Sequence, residues 1–528
     1  MLIWRKSNWP FGGFSISNLA KSAKRKSIHL IAFFRPCASF KGCYGHAQKV
    51  SCAHYVKKKR GFYGHLECHR QVVLRVLRHR HHHGCYFQNE PVPAQGYVQL
   101  VFSGLLAVLG ILSCYRVFYF ILGVFGRSRR YPEAPKDKRY AFIITAWNEE
   151  TVIGNLIHDI RAMDYPQELI EIFIVADNCT DKTGEVAEKL GAHVYYHNDP
   201  SQRSKGYGLK SLVEQMAKDI DIEHDFYAYT TLDADNVPAP DYLTKLNNYL
   251  QASNVDECVC YRNSKNLSEN WISAMCGVQA FGHTVNGLRA RSILNISQEV
   301  YGPSTTLRSY VLAKSGWKWT SLTEDIETVM DLTARGYKTG CTGEAVFYEE
   351  QPNTLKLLWR QRVRWARGGL IAFHMYGWKL LKSFFKKPSW GKYDIFWQTF
   401  PMSFVYFWLG FLYQVTSIIL FLTIGNSGYF NWWTFGNYVI TLFAGAYVSG
   451  FFINLVVIIR EWKHFLLPLW KTILYIFLFP IYNVIDPIFA AMSAFIHPKW
   501  KHIDHHFVKS GKDLAAEEAE KKAKLEKK

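Results

Sequence analysis

The order of apolar and polar positions separates a central region from strongly apolar flanking blocks. Between residues 140 and 350, short apolar runs typical of strands alternate with amphipathic helical patterns. The predicted strands are 140–145, 170–176 and 226–232, and the predicted helices are 149–163, 183–190, 206–218 and 241–251. This rhythm is typical of a mostly parallel sheet covered by helices on both faces. We therefore predict an α/β fold for the central region.

Two of the flanking blocks are long enough to cross a membrane. Residues 401–424 and 438–459 contain no charged side chain, and both exceed the roughly 20 residues that a spanning helix needs. Residues 98–115 predict a third span, followed by an interfacial stretch at 117–125. The block 472–496 contains two prolines and an aspartate, which favours a re-entrant or interfacial pair of helices over a single crossing.

Positive charge near the spans predicts the orientation in the membrane. Arg127, Arg129 and Arg130 follow the first span, so the central region is expected in the cytoplasm. The uncharged loop 425–437 suits the outer side. The sequence thus predicts an integral protein of the plasma membrane with a cytoplasmic α/β domain.

The net charge of +20 is concentrated at the start of the chain. Residues 1–90 contain 17 Lys and Arg against Glu67 and Glu90, which leaves about +5 for the rest. That remainder does not indicate a nucleic-acid-binding protein. Three interpretations of the basic segment stay open: a Cys/His metal module, a basic arm that contacts anionic lipid or nucleic acid, and translation from upstream of the true start, which we favour.

These observations divide the chain into six predicted segments. They are a basic, disordered or wrongly assigned extension (1–95), an N-terminal membrane segment (96–126), the α/β domain (130–352), amphipathic interface helices (353–395), a C-terminal membrane region (396–500) and a charged cytoplasmic tail (501–528).

Polar residues follow the predicted strands where a ligand site is expected. Asn148, Asp177 and Asp233 come just after the apolar runs, and ligands of such sheets bind beyond the carboxyl ends of the strands. Asp233 and Asp235 place two carboxylates two residues apart, which suits oxygen ligation of Mg²⁺ or Mn²⁺. The alternative for this pair is an ordinary polar turn.

Four motifs in a fixed order carry a resemblance to a known family. They are Asp177, Asp233-Ala234-Asp235, Thr323-Glu324-Asp325 and Gln361-Arg362-Val363-Arg364-Trp365. This order resembles that of the membrane-bound family 2 glycosyltransferases, the group that contains cellulose, hyaluronan and poly-N-acetylglucosamine synthases. The resemblance covers about residues 98–506. It implies a GT-A-like, nucleotide-sugar-binding domain with transmembrane helices, and metal-dependent transfer of a hexose or N-acetylhexosamine from a nucleotide donor, expected to be a UDP-sugar.

The resemblance also implies roles for single residues on the donor side. Asp177, with Asn148 and Glu149, would hold the base or ribose of the donor, and Asp233 would serve both substrate and metal. Lys205 begins a predicted helix among glycines, a place that favours phosphate, although a solvated lysine is the plain alternative.

The remaining roles concern catalysis and the acceptor. Asp325 is the candidate general base that takes a proton from the acceptor hydroxyl, and direct displacement would invert the anomeric carbon. The plain alternative is that Thr323 only caps the helix that starts there. Gln361 and Arg364 would hold the diphosphate and Trp365 would stack on the acceptor sugar, although an amphipathic surface helix explains the composition of 355–382 equally well.

Three hypotheses for the function remain. The first is a processive polysaccharide synthase, which with few spans would need a homo-oligomer or an accessory membrane subunit. The second is transfer of a single sugar to a lipid acceptor. The third is a membrane-anchored scaffold without catalysis, which predicts no transfer and no effect of Asp325→Asn.

Overall fold

The computed structural model describes residues 94–297, 302–424, 432–465, 467–498 and 509–526. The chain from Val92 onward forms one compact unit. The predicted extension 1–95 lies outside these residues except for its last two positions, and most of the predicted outer loop 425–437 lies outside them as well.

The central region contains one eight-stranded sheet. The strands are β1 (Tyr140–Ala146), β2 (Ile170–Asp177), β3 (His193–His197), β4 (Ala228–Asp233), β5 (Val237–Pro238), β6 (Glu257–Ser264), β7 (Thr306–Arg308) and β8 (Thr339–Glu349). Their order across the sheet is β3-β2-β1-β4-β7-β6-β8-β5. The pairs β1–β2, β2–β3, β1–β4 and β6–β8 are parallel, whereas β7 and β5 pair with their neighbours in antiparallel fashion. The prediction of a mostly parallel α/β sheet is confirmed.

Strand β1 lies in the middle of the parallel part because it is apolar on both faces. Phe142 and Ile144 pack into one hydrophobic layer, while Ala141 and Ile143 pack into the layer on the opposite face. Side chains alternate along a strand, so a strand covered on both faces reads as a continuous apolar run. The register pairs Thr145 with both Val175 and Asp233, which brings the ends of β1, β2 and β4 to the same edge.

Helices cover both faces of the sheet. They are α3 (Ile153–Arg161), α4 (Thr183–Lys189), α5 (Lys205–Asp219), α6 (Tyr242–Ala252), α7 (Trp271–His283), α8 (Arg289–Leu294), α9 (Ser309–Ser315) and α10 (Glu324–Arg335). The predicted helices 183–190, 206–218 and 241–251 agree with α4, α5 and α6 to within one or two residues. Helix α3 is shorter than the predicted helix 149–163, because residues 149–152 form the turn that follows β1.

The flanking segments are helical. They contain α1 (Ala94–Ser113), α2 (Tyr115–Phe125), α11 (Leu355–Lys386), α12 (Trp390–Thr399), α13 (Met402–Ile424), α14 (Trp432–Arg460), α15 (Leu469–Ile476) and α16 (Pro480–Met492). Among the described residues, α13 and α14 are long and apolar enough to span a membrane. The pairs α1–α2 and α15–α16 meet the criteria of length and apolarity when each pair is taken as one span, and they are bent by 40° and 49°, which raises the count to as many as four.

Buried ion pairs join the flanking helices to the sheet domain. The Arg291 guanidinium donates to both oxygens of Asp394 on α12, at 2.8 and 2.9 Å, and Tyr115 on α2 donates to the same carboxylate. Arg289 donates to Glu461, just beyond α14. Because α8 carries both arginines, one short helix fixes the flanking helices to the domain.

Candidate active site

One cavity of about 590 Å³ lies where β1, β2 and β4 end, and it extends to the flanking helices α12, α13 and α16. Its wall includes nine of the ten residues that the sequence singles out. These nine are Glu149, Asp177, Lys205, Asp233, Asp235, Asp325, Gln361, Arg364 and Trp365. Side chains that are up to 216 residues apart in the sequence therefore share one space.

Asp177 forms the outer end of the cavity at the last residue of β2. Its Oδ1 lies 2.7 Å from His197 Nδ1, and it also accepts a hydrogen bond from Asn178. Burial raises the pKa of Asp177, although these two partners work against the rise. Trp147 lies nearby with the Arg203 guanidinium 5.7 Å from its ring centroid, so this end offers an aromatic face, a carboxylate and a cation.

Asn148 is the one predicted site residue that does not line the cavity. It adopts a left-handed backbone conformation with φ of 56°, and its side-chain oxygen accepts from the Thr180 N–H at 2.7 Å. The Asn148 amide therefore ties the turn after β1 to the turn after β2. Its neighbour Glu149 does reach the cavity.

The end of β4 carries a small cluster of charges, of which Lys205 and Glu324 are buried and Asp233 is partly exposed. Lys205 Nζ lies 2.5 Å from Asp233 Oδ1 and 3.5 Å from Glu324 Oε1. Burial acts against the charge of Lys205, but Asp233 and Glu324 raise its pKa overall. The predicted phosphate-binding lysine thus meets carboxylates in this structure.

The position of Lys205 follows from the local fold. Ser204 caps α5 by accepting from the Tyr207 N–H and donates to the Thr320 carbonyl at 3.1 Å. Gly206 allows the close approach, because a Cβ there would lie 2.4 Å from the Trp319 carbonyl oxygen. Both contacts hold the start of α5 against the 319–320 segment.

Asp325 lies in the first turn of α10 and lines the cavity. Its carboxylate accepts a hydrogen bond from the Gly302 N–H, which orients it. Thr323 occupies the N-cap position of α10, as predicted, although its hydroxyl makes no cap hydrogen bond. The buried Thr323 Oγ1 has no hydrogen-bond partner among the described residues, whereas the predicted end of this helix at Gly336 is confirmed.

Helix α11 carries Gln361, Arg364 and Trp365 along the cavity wall. Arg364 donates to the Leu322 carbonyl at 3.1 Å, next to the segment that holds Asp325. The Gln361 Oε1 atom is buried and meets no hydrogen-bond partner in the described part of the chain. Buried polar atoms nearly always have a hydrogen-bond partner, so an unpaired buried oxygen in a cavity wall indicates that a ligand or water contacts it.

Arginines that the sequence did not single out flank the Trp365 ring. The guanidinium of Arg362 lies 4.4 Å from the Trp365 centroid, and that of Arg262 lies 5.9 Å from it. Arg262 also pairs with Glu349 at 3.5 Å. The signal for Arg362 was present, since it stands inside the Gln-x-x-Arg-Trp segment, but Arg262 comes from β6 and only the fold brings it here.

Residues 135–368 match a family model described as "Glycosyltransferase like family 2". This range includes the strands, the acidic motifs and the Gln361–Trp365 segment. Residues 135–368 are therefore similar to the domains of the glycosyltransferase 2 family.

Individual relatives agree with this family. The chain is 28% identical over 268 residues to "Probable glycosyltransferase YdaM" of Bacillus subtilis, with 48% of this chain and 59% of that protein covered. It is 26% identical over 288 residues to a beta-monoglucosyldiacylglycerol synthase of Nostoc, covering 53% and 58%. It is 24% identical over 282 residues to a poly-beta-1,6-N-acetyl-D-glucosamine synthase of Staphylococcus aureus, covering 51% and 65%.

The matched regions are partial. The chain spans about three fifths of the length of the first two curated relatives. Among solved structures, a mannosyltransferase from Pyrobaculum calidifontis in complex with GDP-Man and Mn²⁺ aligns with a TM-score of 0.45 at 15% identity, covering 70% of this chain and 99% of that one.

The charge balance of the cavity is acidic. Nine carboxyl groups and six arginine or lysine side chains line the cavity. The carboxyl groups are those of Glu149, Asp177, Asp233, Asp235, Glu324, Asp325, Glu349, Glu350 and Asp486. A ligand with two or more negative charges meets repulsion here unless a cation accompanies it.

The donor set at the end of β4 fits a divalent cation that shares its ligands with a substrate. No group of three or more His, Cys, Asp or Glu in the described ranges is arranged to hold a metal by itself. Asp233 and Asp235 supply two carboxylates, and Mg²⁺ in proteins is commonly held by one or two carboxylates together with substrate phosphates and water. The residues present therefore fit Mg²⁺ or Mn²⁺ bound with a diphosphate.

Glu324 is a titratable group of this cavity that the sequence did not single out. Burial raises the pKa of Glu324 to about 7, although the Lys205 ammonium works against the rise. It precedes Asp325 in the motif, yet only the packing against Lys205 reveals that it belongs to the charge cluster.

Proposed function

We propose that this protein transfers a sugar from a nucleotide-diphosphate donor to an acceptor at the membrane surface, with inversion of the anomeric carbon. The observation that supports the proposal is the meeting of Asp177, Asp235, Asp325 and Trp365 on one cavity wall. These residues belong to a domain of the glycosyltransferase family 2 type. A UDP-sugar is the proposed donor.

The donor would lie along the ends of the parallel strands. Asp177 would accept hydrogen bonds from the base or ribose, and Trp147 would offer an apolar face to the base. Its diphosphate would lie near Asp233 and Asp235, within reach of Lys205. A divalent cation held by these two carboxylates would neutralise the charge that develops on the departing diphosphate.

Asp325 would accept the proton of the acceptor hydroxyl as that oxygen attacks the anomeric carbon. The hydrogen bond from the Gly302 N–H occupies one carboxylate oxygen and leaves the other for the acceptor. The bond from carbon to the diphosphate oxygen breaks on the opposite face, so the configuration inverts. A positioned base of this kind contributes about 10²- to 10⁴-fold to the rate.

The acceptor would approach from the membrane side. That end of the cavity is lined by the start of α13 and by α16, including Met402, Phe404, Tyr482 and Phe489. Trp365 lies between this end and the strand ends, where its ring would pack on a sugar. A growing polysaccharide is the first proposed acceptor, with the catalytic domain on the cytoplasmic face.

A lipid acceptor is the second candidate. The cavity lining from α13 and α16 is apolar, and the same helices carry the exposed apolar side chains Phe411 and Ile488. Both features suit contact with a lipid and so favour a lipid acceptor. A lipid hydroxyl at the membrane surface would reach the cavity without a channel. The product distinguishes the two candidates: a lipid acceptor receives a single sugar, whereas a polysaccharide is extended by many.

A panel of labelled nucleotide sugars, offered with Mn²⁺ or Mg²⁺ to membranes that contain the protein, tests the proposal. One donor is expected to give product that extends into a polymer or migrates as a glycolipid, and Asp325→Asn is expected to abolish it. If no donor in a panel of UDP- and GDP-sugars is transferred or hydrolysed, the proposal is wrong and the result favours the scaffold hypothesis. Loss of function in Asp325→Asn would in turn exclude the scaffold.

A further inference from the structure

The end of the chain packs against the glycosyltransferase domain as a helix. Helix α17 (Gly511–Glu526) starts with a capping box, since Ser510 accepts from the Asp513 N–H and the Asp513 carboxylate accepts from the Ser510 N–H. Leu514 of this helix is 1% exposed. The segment predicted as a charged tail thus has a buried face.

Helix α17 covers the edge of the sheet that continues from the Asp233–Asp235 loop. Leu514 packs with Val237 and Tyr348 in a small hydrophobic cluster. Gly511 lies so close to β5 that a Cβ there would be 2.2 Å from the Pro238 carbonyl oxygen. The Gly511 N–H donates to Asp159 on α3 at 3.0 Å, which ties the start of the helix to the same edge.

The strand under the helix is too short to hold itself in place. Strand β5 contains two residues, pairs only with β8 in the described sheet, and begins two residues after Asp235. An isolated two-residue pairing adds little stability, and edge strands are commonly held by an element that covers them. The packing of Leu514 and Gly511 therefore helps to set where β5 lies.

The position of β5 affects that of Asp235, because only one residue separates them in the chain. On the inner side, the Lys265 ammonium donates to the Asp235 carbonyl at 2.9 Å, and the Glu350 N–H lies 3.4 Å from Asp235 Oδ2. On the outer side, the loop continues into β5 and its cover. The Asp235 carboxylate is thus held between β8 and the α17 edge.

The middle of α17 is tied to the sheet and to the end of α14. Glu518 accepts from Asn263 on β6 and lies 3.1 Å from His464 Nδ1. Lys521 donates to the Phe465 carbonyl and lies 4.7 Å from the Trp462 ring centroid. These contacts anchor the helix on both sides of its buried face.

We propose that helix α17 is a brace that positions the Asp233–Asp235 loop, so that its docking sets how tightly the site binds a metal–nucleotide diphosphate. This inference rests on the proposed function, because it assigns that loop to the diphosphate and the cation. Leu514 and Gly511 are positioning residues: they act through β5 and do not touch the ligand.

The test compares Leu514→Asp with Ala519→Asp in the full-length protein in nanodiscs. Both variants add one carboxylate to α17, but Leu514 is buried whereas Ala519 is exposed. The probe is UDP, titrated calorimetrically with and without Mn²⁺. Leu514→Asp is expected to weaken UDP binding in Mn²⁺ by about 10- to 100-fold, the usual cost of losing an outer support of a metal site. Ala519→Asp is expected to bind like the wild type, and binding without Mn²⁺ is expected to be equal in all three proteins.

Each outcome decides between the two proposals. If the wild type does not bind UDP with Mn²⁺, the proposed function fails first. If the wild type binds and Leu514→Asp binds equally well, the brace is wrong. A general loss of folding would lower UDP binding with and without Mn²⁺ alike. In that case Glu518→Ala, which removes the contacts of this carboxylate to Asn263 and His464, must still weaken Mn²⁺-dependent binding or the inference is refuted.

Discussion

Replacing Glu324 with Gln is expected to remove a loss of stability that the wild type shows as the pH rises through 7. Glu324 is 8% exposed at the end of the Lys205–Asp233 cluster. Burial raises its pKa from the ordinary 4.5 to about 7, so the native state binds a proton that the unfolded state has already lost between these values. The native protein therefore loses stability as the pH rises through this window, and the amide variant does not.

The magnitude follows from the shift. The pKa of Glu324 is about 7 in the native state and 4.5 in its ordinary state. At 1.36 kcal/mol per pKa unit, this difference corresponds to about 3 kcal/mol of stability. Stability of the wild type relative to Glu324→Gln should fall by that amount between pH 4.5 and pH 8. Because the compact unit Val92–Lys528 is large, with about 2.1 cal/mol/K of unfolding entropy per residue, this is a change of about 3–4 °C in the melting temperature.

Melting curves of the purified wild type and Glu324→Gln, followed at several pH values, measure this difference. Glu214→Gln serves as the control, because Glu214 is an exposed residue of α5 that pairs only loosely with Lys210 at 3.8 Å. The difference between Glu214→Gln and the wild type should change little with pH. Equal pH dependence of the wild type and Glu324→Gln would refute the reasoning, since it would mean that Glu324 is as readily ionised as an exposed carboxyl group.

Three further predictions concern the site and its support. Asp235→Asn is expected to remove the Mn²⁺-dependent part of UDP binding and leave the melting temperature near that of the wild type, as measured by calorimetric titration; unchanged Mn²⁺ dependence would exclude Asp235 as a ligand. Asp394→Ala is expected to destabilise the protein by about 3–5 kcal/mol, because it leaves Arg291 buried without its bidentate partner; thermal unfolding checks this, and a loss below about 1 kcal/mol, the range of an exposed pair, would contradict it. Trp365→Ala is expected to raise KM for the acceptor much more than KM for the donor in steady-state transfer assays, and the reverse order would place the ring on the donor side.

The central parallel strands β1, β2 and β4 were predictable because they are buried on both faces, whereas β3, β6 and β8 were not predicted. Runs such as 140–145 and 170–176 are continuously apolar, and each is followed by a turn and an amphipathic helix. The antiparallel strands β5 and β7 were not found in the sequence, since they contain two and three residues and have no period to detect. Their places depend on the neighbours with which they pair.

The composition of the site was predictable, but its internal contacts were not. The ordered motifs brought together Asp177, Asp235, Asp325 and Trp365, which do line one cavity. The contact of Lys205 with Asp233 depends on how α5 packs on β1 and β2, which no local pattern reports. Asn148 follows a strand end as expected, yet its left-handed backbone turns the side chain toward Thr180.

The helix at the end of the chain carried a signal that went unused. Ser510 and Asp513 have the spacing of a capping box, which predicts a helix start. The many charged residues that follow suggested a solvated tail. Leu514 is the apolar residue that lets this helix dock, and a single apolar position is too weak a signal to predict packing.

The most direct test of the central claim is an electron cryomicroscopy map of the full-length protein with UDP and Mn²⁺. The account predicts density for the uridine beside Asp177, for the diphosphate beside Asp233 and Asp235 with the metal between them, and an open space between the diphosphate and Trp365 that reaches Asp325. Nucleotide density outside this cavity, or a diphosphate turned away from both carboxylates, would contradict it.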